Sequence, residues 1–233
     1  MHWTEQEFMS LDFETTGVDT NTARPVEVSL LRIGKDESKL AGYEHLSTVI
    51  DINEEIPEDA AKIHGITTER MRLHGKPAAN IIISLASSIQ VCIENKTPLV
   101  IFNAPYDWNI LFNEAKRYNL TLVGLPMFLD PLLLDRHFDK YRRGSRQLTT
   151  TANHYNVALD GKAHSAEADA LAAAKIMRRM IRKYPWFDTV SLEELQGFQA
   201  KWYEEWKVGI EKYWAKQGKL DQKVTTVWPK REE

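Results

Sequence analysis

The chain has 233 residues, of which 43% are hydrophobic and 27% charged, and a formal net charge of −3 at pH 7. Its length suits one large domain with a sizeable core plus an appendage, and its net charge argues against an extended grip on duplex nucleic acid, which usually requires a basic surface. No apolar run approaches the length that crosses a bilayer. The single cysteine, Cys92, excludes an intramolecular disulfide and suits a reducing compartment. Residues 1–7 lack the basic and apolar stretches of a secretion signal, so we expect a cytoplasmic protein without a membrane partner.

The first half of the chain predicts strands followed by helices. Apolar runs separated by turn residues predict three strands, which would form an antiparallel meander, at 7–13, 26–34 and 42–50. Helices are predicted at 58–63, 67–73 and 77–94. Cys92 falls on the last of these helices, where we expect a small buried hydrophobe.

The second half alternates strands with helices. It predicts a strand at 98–102, a helix at 105–118, a fifth strand within 121–129, and helices at 130–139, 147–155 and 164–183. Antiparallel strands followed by crossover connections predict an α/β fold with a mixed five-stranded sheet flanked by helices.

Carboxylates recur where these predicted elements begin or end. Asp12 and Glu14 are two residues apart on the first strand and would project from the same face. Two neighbouring anions repel each other unless a cation lies between them, and hard divalent cations prefer oxygen ligands. Asp107 follows Pro105, a residue favoured in the first turn of a helix, so Asp107 should lie near a helix N-terminus.

A fourth carboxylate accompanies a histidine. His164 and Asp169 are five residues apart at the start of an alanine-rich helix, so a loop histidine and a first-turn aspartate can approach one site. Each acid alone is more often a surface or capping residue, but their joint occurrence indicates a site. A cage of carboxylates beside a histidine suits phosphodiester hydrolysis with two magnesium ions.

Three segments carry these residues and resemble a known family. They are Asp12-Phe13-Glu14-Thr15-Thr16-Gly17, Asn103-Ala104-Pro105-Tyr106-Asp107 and His164-Ser165-Ala166-Glu167-Ala168-Asp169. In this order they resemble the three motifs of the DEDDh, or DnaQ-like, 3′–5′ exonucleases, which include the proofreading subunits of bacterial DNA polymerase III. The segment Ile63-His64-Gly65-Ile66-Thr67 is similar to a further family element, and the resemblance covers roughly residues 6 to 183.

The resemblance implies a ribonuclease-H-like sheet in which the first and fourth predicted strands are neighbours. That adjacency would bring Asp12 and Glu14 opposite Asp107. The resemblance implies two Mg²⁺ ions, for which Mn²⁺ can substitute. Their implied ligands are Asp12, Glu14, Asp107 and Asp169. His164 would act as the general base, because an imidazole titrates close to working pH.

The resemblance also implies contacts with the terminal nucleotide. The backbone at Thr15 and Thr16, with the Glu14 carboxylate, would recognise the 3′-hydroxyl. Phe13 and His64 would adjoin the terminal nucleotide, and Asn103 the scissile region.

Several activities stay open at this point. The first is removal of nucleoside 5′-monophosphates from the 3′ end of DNA, with preference for single-stranded or frayed ends. The second is RNA trimming, because recognition of the ribose depends on pocket shape around the 2′-hydroxyl. The third is a polymerase-associated proofreading or accessory module. A cationic loop at 140–146 is either a solvated face or a phosphate contact.

The composition changes after residue 185, which we take as the end of the exonuclease-like domain. Five of the seven tryptophans lie within 186–233, and Ser191 and Glu194 form a capping box. A predicted apolar stripe consists of Leu195, Phe198, Trp202, Trp206, Ile210 and Tyr213. We expect this helical extension to pack on the domain, with Trp228 closing its end; the rival is a surface for a polymerase partner or a homodimer.

Overall fold

The computed structural model describes residues 2–40, 45–159 and 165–229. Its strands are β1 (Phe8–Thr15), β2 (Pro25–Ile33), β3 (Lys39–Leu40), β4 (Leu46–Asp51), β5 (Lys76–Pro77), β6 (Pro98–Val100) and β7 (Met127–Leu129). They form one mixed sheet in the order β5-β4-β2-β1-β6-β7, with β3 also paired to β2. No helix in the described ranges is both long and apolar enough to span a membrane.

The pairing confirms the predicted fold class. β1 and β2 are antiparallel, as are β2 and β4, which gives the expected meander. β6, the fourth predicted strand, lies parallel to β1, and β7 lies parallel to β6. The first and fourth predicted strands are therefore neighbours.

The predicted count of five strands was too low. β3 and β5 have two residues each, too few to leave a period-two pattern in the sequence. The predicted strand at 42–50 is observed as β4, and its first residues lie outside the described ranges. The strand predicted within 121–129 begins only at Met127, because Gly124 has a positive φ of 96° and Pro126 has no N–H to donate.

The described helices begin and end within a few residues of the predictions. They are α1 (Glu58–His64), α2 (Thr68–His74), α3 (Ala78–Glu94), α4 (Ala104–Arg117), α5 (Pro131–Phe138), α6 (Leu148–His154), α7 (Ala166–Lys183) and α8 (Leu192–Lys216). Cys92 is buried on α3, as expected. The predicted helix at 164–183 begins at Ala166 because Ser165 is its N-cap, with its hydroxyl accepting from the Ala168 N–H.

The alanine-rich sequence of α7 has a packing reason. Ala170 and Ala174 are fully buried against Leu31 and Ile33 of β2. Small side chains allow the helix axis to approach the sheet closely, which brings the N-terminus of α7 next to the acidic residues of β1. On the other part of the sheet, α4 packs against α3 and β1.

The extension beyond residue 185 packs against β7 and α5. Its helix α8 begins with the predicted capping box. The buried face differs from the predicted stripe: it consists of Leu192, Leu195, Gln199, Trp202 and Tyr203, whereas Phe198 and Tyr213 are exposed. The predicted stripe was partly right, because Leu195 and Trp202 are buried and Trp206 packs against the core. It omitted Gln199, a polar residue whose buried amide is hydrogen-bonded. Trp228 is 2% exposed.

Candidate active site

Three carboxylates converge at the end of β1. Asp12 and Glu14 lie on this strand and Asp169 lies in the first turn of α7, and each offers an oxygen within 4.8 Å of the others. The prediction that Asp12 and Glu14 share a face is therefore confirmed. Three converging oxygen donors match what a hard divalent cation requires.

Asp107 lies beside this group and touches the same strand. It is in the first turn of α4, is 4% exposed, and its Oδ1 accepts a hydrogen bond of 3.1 Å from the backbone N–H of Phe13. Phe13 lies between Asp12 and Glu14 in sequence, so this bond fixes the start of α4 against the acidic part of β1. The predicted opposition of Asp107 to Asp12 and Glu14 is confirmed.

The acids raise one another's pKa. Burial first, and then repulsion from Asp107, Asp169 and Glu14, raises the pKa of Asp12 well above its usual range. Burial, Asp169 and Glu27 raise the pKa of Glu14 to about 8. Burial likewise raises the pKa of Asp107, although the hydrogen bond from Phe13 opposes the rise. A bound cation would reverse these shifts, because it stabilises the ionised forms.

Two residues that sequence reasoning missed hold α7 in place. Ser10 is fully buried, and its hydroxyl donates to the carbonyl oxygen of Ala170 at 2.7 Å. Glu27 lies opposite Glu14 in the register of β1 and β2, and its carboxylate accepts from the Ala166 N–H at 2.9 Å. For Ser10, the available signal was its alternation with Asp12 and Glu14 along β1. For Glu27, it was a charged residue within the apolar strand β2.

Asp130 is a third residue that sequence reasoning missed. It is 2% exposed, and its carboxylate accepts from the N–H groups of Asn103 and Ala104 at 2.9 and 3.0 Å. The same carboxylate caps α5 by accepting from Leu132 and Leu133. An aspartate before a proline at the end of a strand was a capping signal, but nothing in the sequence indicated its reach to α4.

The segment after β1 is tightly bonded. The Thr15 hydroxyl and the Tyr106 hydroxyl lie 2.6 Å apart, and both lie within hydrogen-bonding distance of the Gly17 carbonyl oxygen. Burial raises the pKa of Tyr106 to about 12, so it remains a donor. The Thr16 hydroxyl accepts from the Arg24 N–H at 2.9 Å. The side chains of Thr15 and Thr16 therefore stabilise the turn. The contacts of their backbone with substrate stay a prediction.

Arg24 joins this turn to α4. Its guanidinium bonds to the buried Glu114 carboxylate, with a 3.1 Å contact between Nη2 and Oε2, and it also pairs with Glu54. The Asn113 side chain adds a 2.7 Å bond to the carbonyl oxygen of Thr20. The turn and the helix that carries Asp107 are thus one unit.

The remaining predicted residues have defined surroundings, while their roles stay predictions. Phe13 is 6% exposed and belongs to the core. His64 is buried at the end of α1, where its Nδ1 accepts from the Ile66 N–H at 3.1 Å. Asn103 is half-buried at the N-cap of α4, with a left-handed φ of 72°. His164 lies outside the described residues.

The cationic loop at 140–146 has a structural use. Arg142 and Arg146 both bind the fully buried Asp135, the first at 2.7 Å. The Tyr155 hydroxyl donates to the same carboxylate at 3.0 Å. Arg142 and Arg146 thus belong to an internal ion-pair network, and a phosphate contact by this loop stays a prediction.

Comparison with known proteins gives consistent results. The sequence model of the exonuclease family matches residues 9–177. An uncharacterised exonuclease of Escherichia phage 186 is 31% identical over 180 residues, covering 72% of this chain and 84% of the relative. The DNA polymerase III subunit epsilon of Rickettsia prowazekii is 29% identical over 171 residues, covering 71% of this chain and 70% of the relative.

The fold also matches solved structures. The crystal structure of E. coli exonuclease I in complex with a dA16 oligonucleotide aligns with a TM-score of 0.68 at 19% identity. The alignment covers 79% of this chain and 42% of the exonuclease I chain, so it spans less than half of that longer protein.

Proposed function

The chain belongs to the DnaQ-like exonuclease family, and we propose that it removes nucleoside 5′-monophosphates from the 3′ end of DNA. The convergence of Asp12, Glu14 and Asp169, with oxygens within 4.8 Å of one another, is the observation that carries this proposal. We assign this activity to residues 1–185 and treat 186–233 as an appended helical segment.

The acidic group fits divalent cations. Asp12, Glu14 and Asp169 would hold one ion, and Asp12 would also reach a second ion that Asp107 contacts through water. The donor set consists of carboxylate oxygens alone, the ligand class that Mg²⁺ and Mn²⁺ prefer. Two bound ions would stabilise the attacking and leaving oxygens of an in-line displacement.

His164 is proposed as the general base. It immediately precedes Ser165, the N-cap of the helix that carries Asp169 in its first turn. A neutral imidazole there would take a proton from the water that attacks the terminal phosphodiester.

We also propose contacts with the terminal nucleotide. The backbone of Thr15 and Thr16, in the turn fixed by Arg24, would meet the 3′-hydroxyl together with the Glu14 carboxylate. Phe13 and His64 would adjoin the terminal nucleotide, with Asn103 near the scissile bond. A grip confined to one terminus needs no basic face, which agrees with the net charge of −3.

DNA is proposed as the substrate, with preference for single-stranded or frayed ends. Two relatives support it by name: a DNA polymerase III subunit epsilon, and an exonuclease I crystallised with a dA16 oligonucleotide. The name of the polymerase III subunit also supports a replication or repair setting with a polymerase as partner. We further propose a cytoplasmic location.

The test is degradation of matched 3′-labelled and 5′-labelled oligonucleotides with Mg²⁺, Mn²⁺ or chelator. We expect 5′-labelled single-stranded DNA to give a ladder that shortens from the 3′ end, faster than duplex DNA or RNA. Asp12→Ala should abolish cleavage, whereas Glu58→Gln, at a side chain that is 91% exposed, should retain it. Faster loss of RNA would replace DNA by RNA as the substrate, and full activity of Asp12→Ala would refute the site.

A further inference from the structure

Two glutamines of α8 cover the free edge of strand β7. The Gln196 side chain accepts from the Phe128 N–H at 2.9 Å and donates to the Phe128 carbonyl oxygen at 3.1 Å. Gln199 donates to the same carbonyl oxygen at 2.8 Å. The two amides therefore satisfy backbone groups that an edge strand would otherwise expose.

Gln199 makes one more bond, which Gln196 does not. Its Oε1 accepts from the backbone N–H of Asp130 at 2.9 Å. In the described part of the chain, the remaining hydrogen bond of Gln196 goes to the Leu192 carbonyl oxygen within α8. Only Gln199 therefore reaches Asp130, the N-cap of α5, whose carboxylate also bonds to the first residues of α4.

Asp130 connects Gln199 to the helix that carries Asp107. Its carboxylate receives the N–H groups of Asn103 and Ala104, the two residues that open α4. Asn103 has a positive φ of 72°, a conformation that costs free energy and needs fixed neighbours. Asp107 follows in the same first turn and bonds to the Phe13 N–H.

The two side chains that make this connection, Gln199 and Asp130, are buried. Gln199 is fully buried and Asp130 is 2% exposed, so no solvent can replace a lost bond without entering the core. Buried polar chains of this kind specify one geometry when each member is satisfied. Gln199 also lies outside residues 9–177, the part of the chain that matches the exonuclease family.

We propose that Gln199, acting through Asp130, is a positioning residue for Asp107, one of the proposed metal-site carboxylates. The extension beyond residue 185 is then part of the catalytic unit and sets the orientation of α4. This inference rests on the proposed nuclease function, and it predicts that the geometry of the site depends on a contact outside the family domain.

The test compares Gln199→Leu with Gln196→Leu in the full chain. Both variants remove amide bonds from Phe128, but only the first removes the acceptor from Asp130. We expect Gln199→Leu to lower kcat by about 10-fold or more, and to raise the Mg²⁺ concentration needed for half-maximal activity, with a smaller change in KM. Gln196→Leu should leave kcat and the Mg²⁺ requirement within about twofold at matched folded fraction.

Two further measurements keep the proposal decidable. Gln199→Glu, in the protonated form that burial favours, keeps an acceptor for the Asp130 N–H and a donor to the Phe128 carbonyl oxygen, so its kcat should lie closer to that of the unmodified protein. Hydrogen exchange at the amides of Asn103 and Ala104 should accelerate in Gln199→Leu but not in Gln196→Leu. If Gln199→Leu does not fold, Gln199→Met replaces it, because its unbranched side chain fills similar space.

Equal kcat, Mg²⁺ requirement and amide exchange in the two leucine variants would overturn the proposal. An unmodified protein without nuclease activity would instead refute the proposed function. In that case the exchange rates alone would decide whether Gln199 fixes the start of α4.

Discussion

At the residue scale, the site is a set of like charges held together by backbone bonds. The period of a strand places Asp12 and Glu14 on one face of β1, and Pro105 at the start of α4 places Asp107 in its first turn. Burial in the folded chain, and then repulsion between the carboxylates, raises the pKa of Asp12 and of Glu14. Without a bound cation, the ionised form of this site therefore opposes folding.

The first prediction concerns stability without metal. The pKa of Glu14 is raised from 4.5 to about 8, so the folded protein binds the extra proton between these values and stability falls as pH rises through this window. In the presence of chelator, Glu14→Gln should have a flatter dependence of Tm on pH from 5 to 8, whereas Glu58→Gln should follow the unmodified protein. Added Mg²⁺ should raise Tm more at pH 8 than at pH 5. Identical pH dependence for Glu14→Gln and Glu58→Gln would contradict this reasoning.

The second prediction concerns His164. His164→Ala should lower kcat by about 10² to 10⁴-fold, the usual contribution of a general base, with KM changed much less. The acidic limb of the pH–rate profile should disappear, because a neutral imidazole is then no longer required. His154→Ala is the matched control, since His154 pairs with Asp139 away from the acidic group. An unchanged pH profile in His164→Ala would remove it as the base.

At the element scale, the starts of α4, α5 and α7 are fixed by polar side chains, of which Asp130 is buried and Glu27 is half-buried. Asp130 holds the start of α4 and caps α5, and Glu27 holds the start of α7. Asp135 on α5 binds the arginines of the following loop. The elements that carry the acids are thus positioned by hydrogen bonds between distant parts of the chain.

The third prediction tests one of these anchors. Asp135→Ala leaves Arg142 and Arg146 without the carboxylate they share, and should lower the free energy of unfolding by about 3 to 5 kcal/mol. Lys96→Ala breaks a pair with Glu193 in which both side chains are more than half exposed, and should change it by less than about 1 kcal/mol. Urea denaturation measures both. A loss below 1 kcal/mol for Asp135→Ala would show that the network contributes little.

The features that could be predicted from the sequence are those encoded by neighbouring residues, and those that could not arise from contacts between distant residues. Strand periodicity and capping signals located Asp12, Glu14, Asp107 and the start of α8, because each is encoded within a few neighbouring residues. Asp130 and Gln199 were missed because their roles arise from contacts with partners 26 to 71 residues away. Glu27 was missed for the same reason, as its partner Ala166 is 139 residues distant.

At the scale of the whole molecule, a negative net charge is combined with a nuclease family fold. Arg142 and Arg146 of the loop at 140–146 share the single carboxylate of Asp135, which balances one of their two charges. The acids and their bound cations would therefore carry most of the grip on the strand terminus, and a long electrostatic footprint is not needed.

The fourth prediction follows from this charge distribution. Each neutralised phosphate releases counterions, with a slope near −0.7 per contact for single strands. A grip on a few terminal nucleotides should give a slope of log affinity against log salt no steeper than about −3. Binding of a labelled oligonucleotide to the slow His164→Ala protein, which keeps all four acids, with Ca²⁺ or Mg²⁺ held constant, measures it. A much steeper slope would indicate a long basic track instead.

The central claim is that Asp12, Glu14 and Asp169 form a divalent-cation site required for cleavage. The most direct measurement is anomalous diffraction from crystals soaked in Mn²⁺, with unmodified protein and Asp12→Ala compared. We predict a Mn²⁺ peak bonded to carboxylate oxygens of these three residues in the unmodified protein, and its loss together with nuclease activity in Asp12→Ala. Cleavage that persists in Asp12→Ala, or a cation bound elsewhere while this group stays empty, would contradict the account.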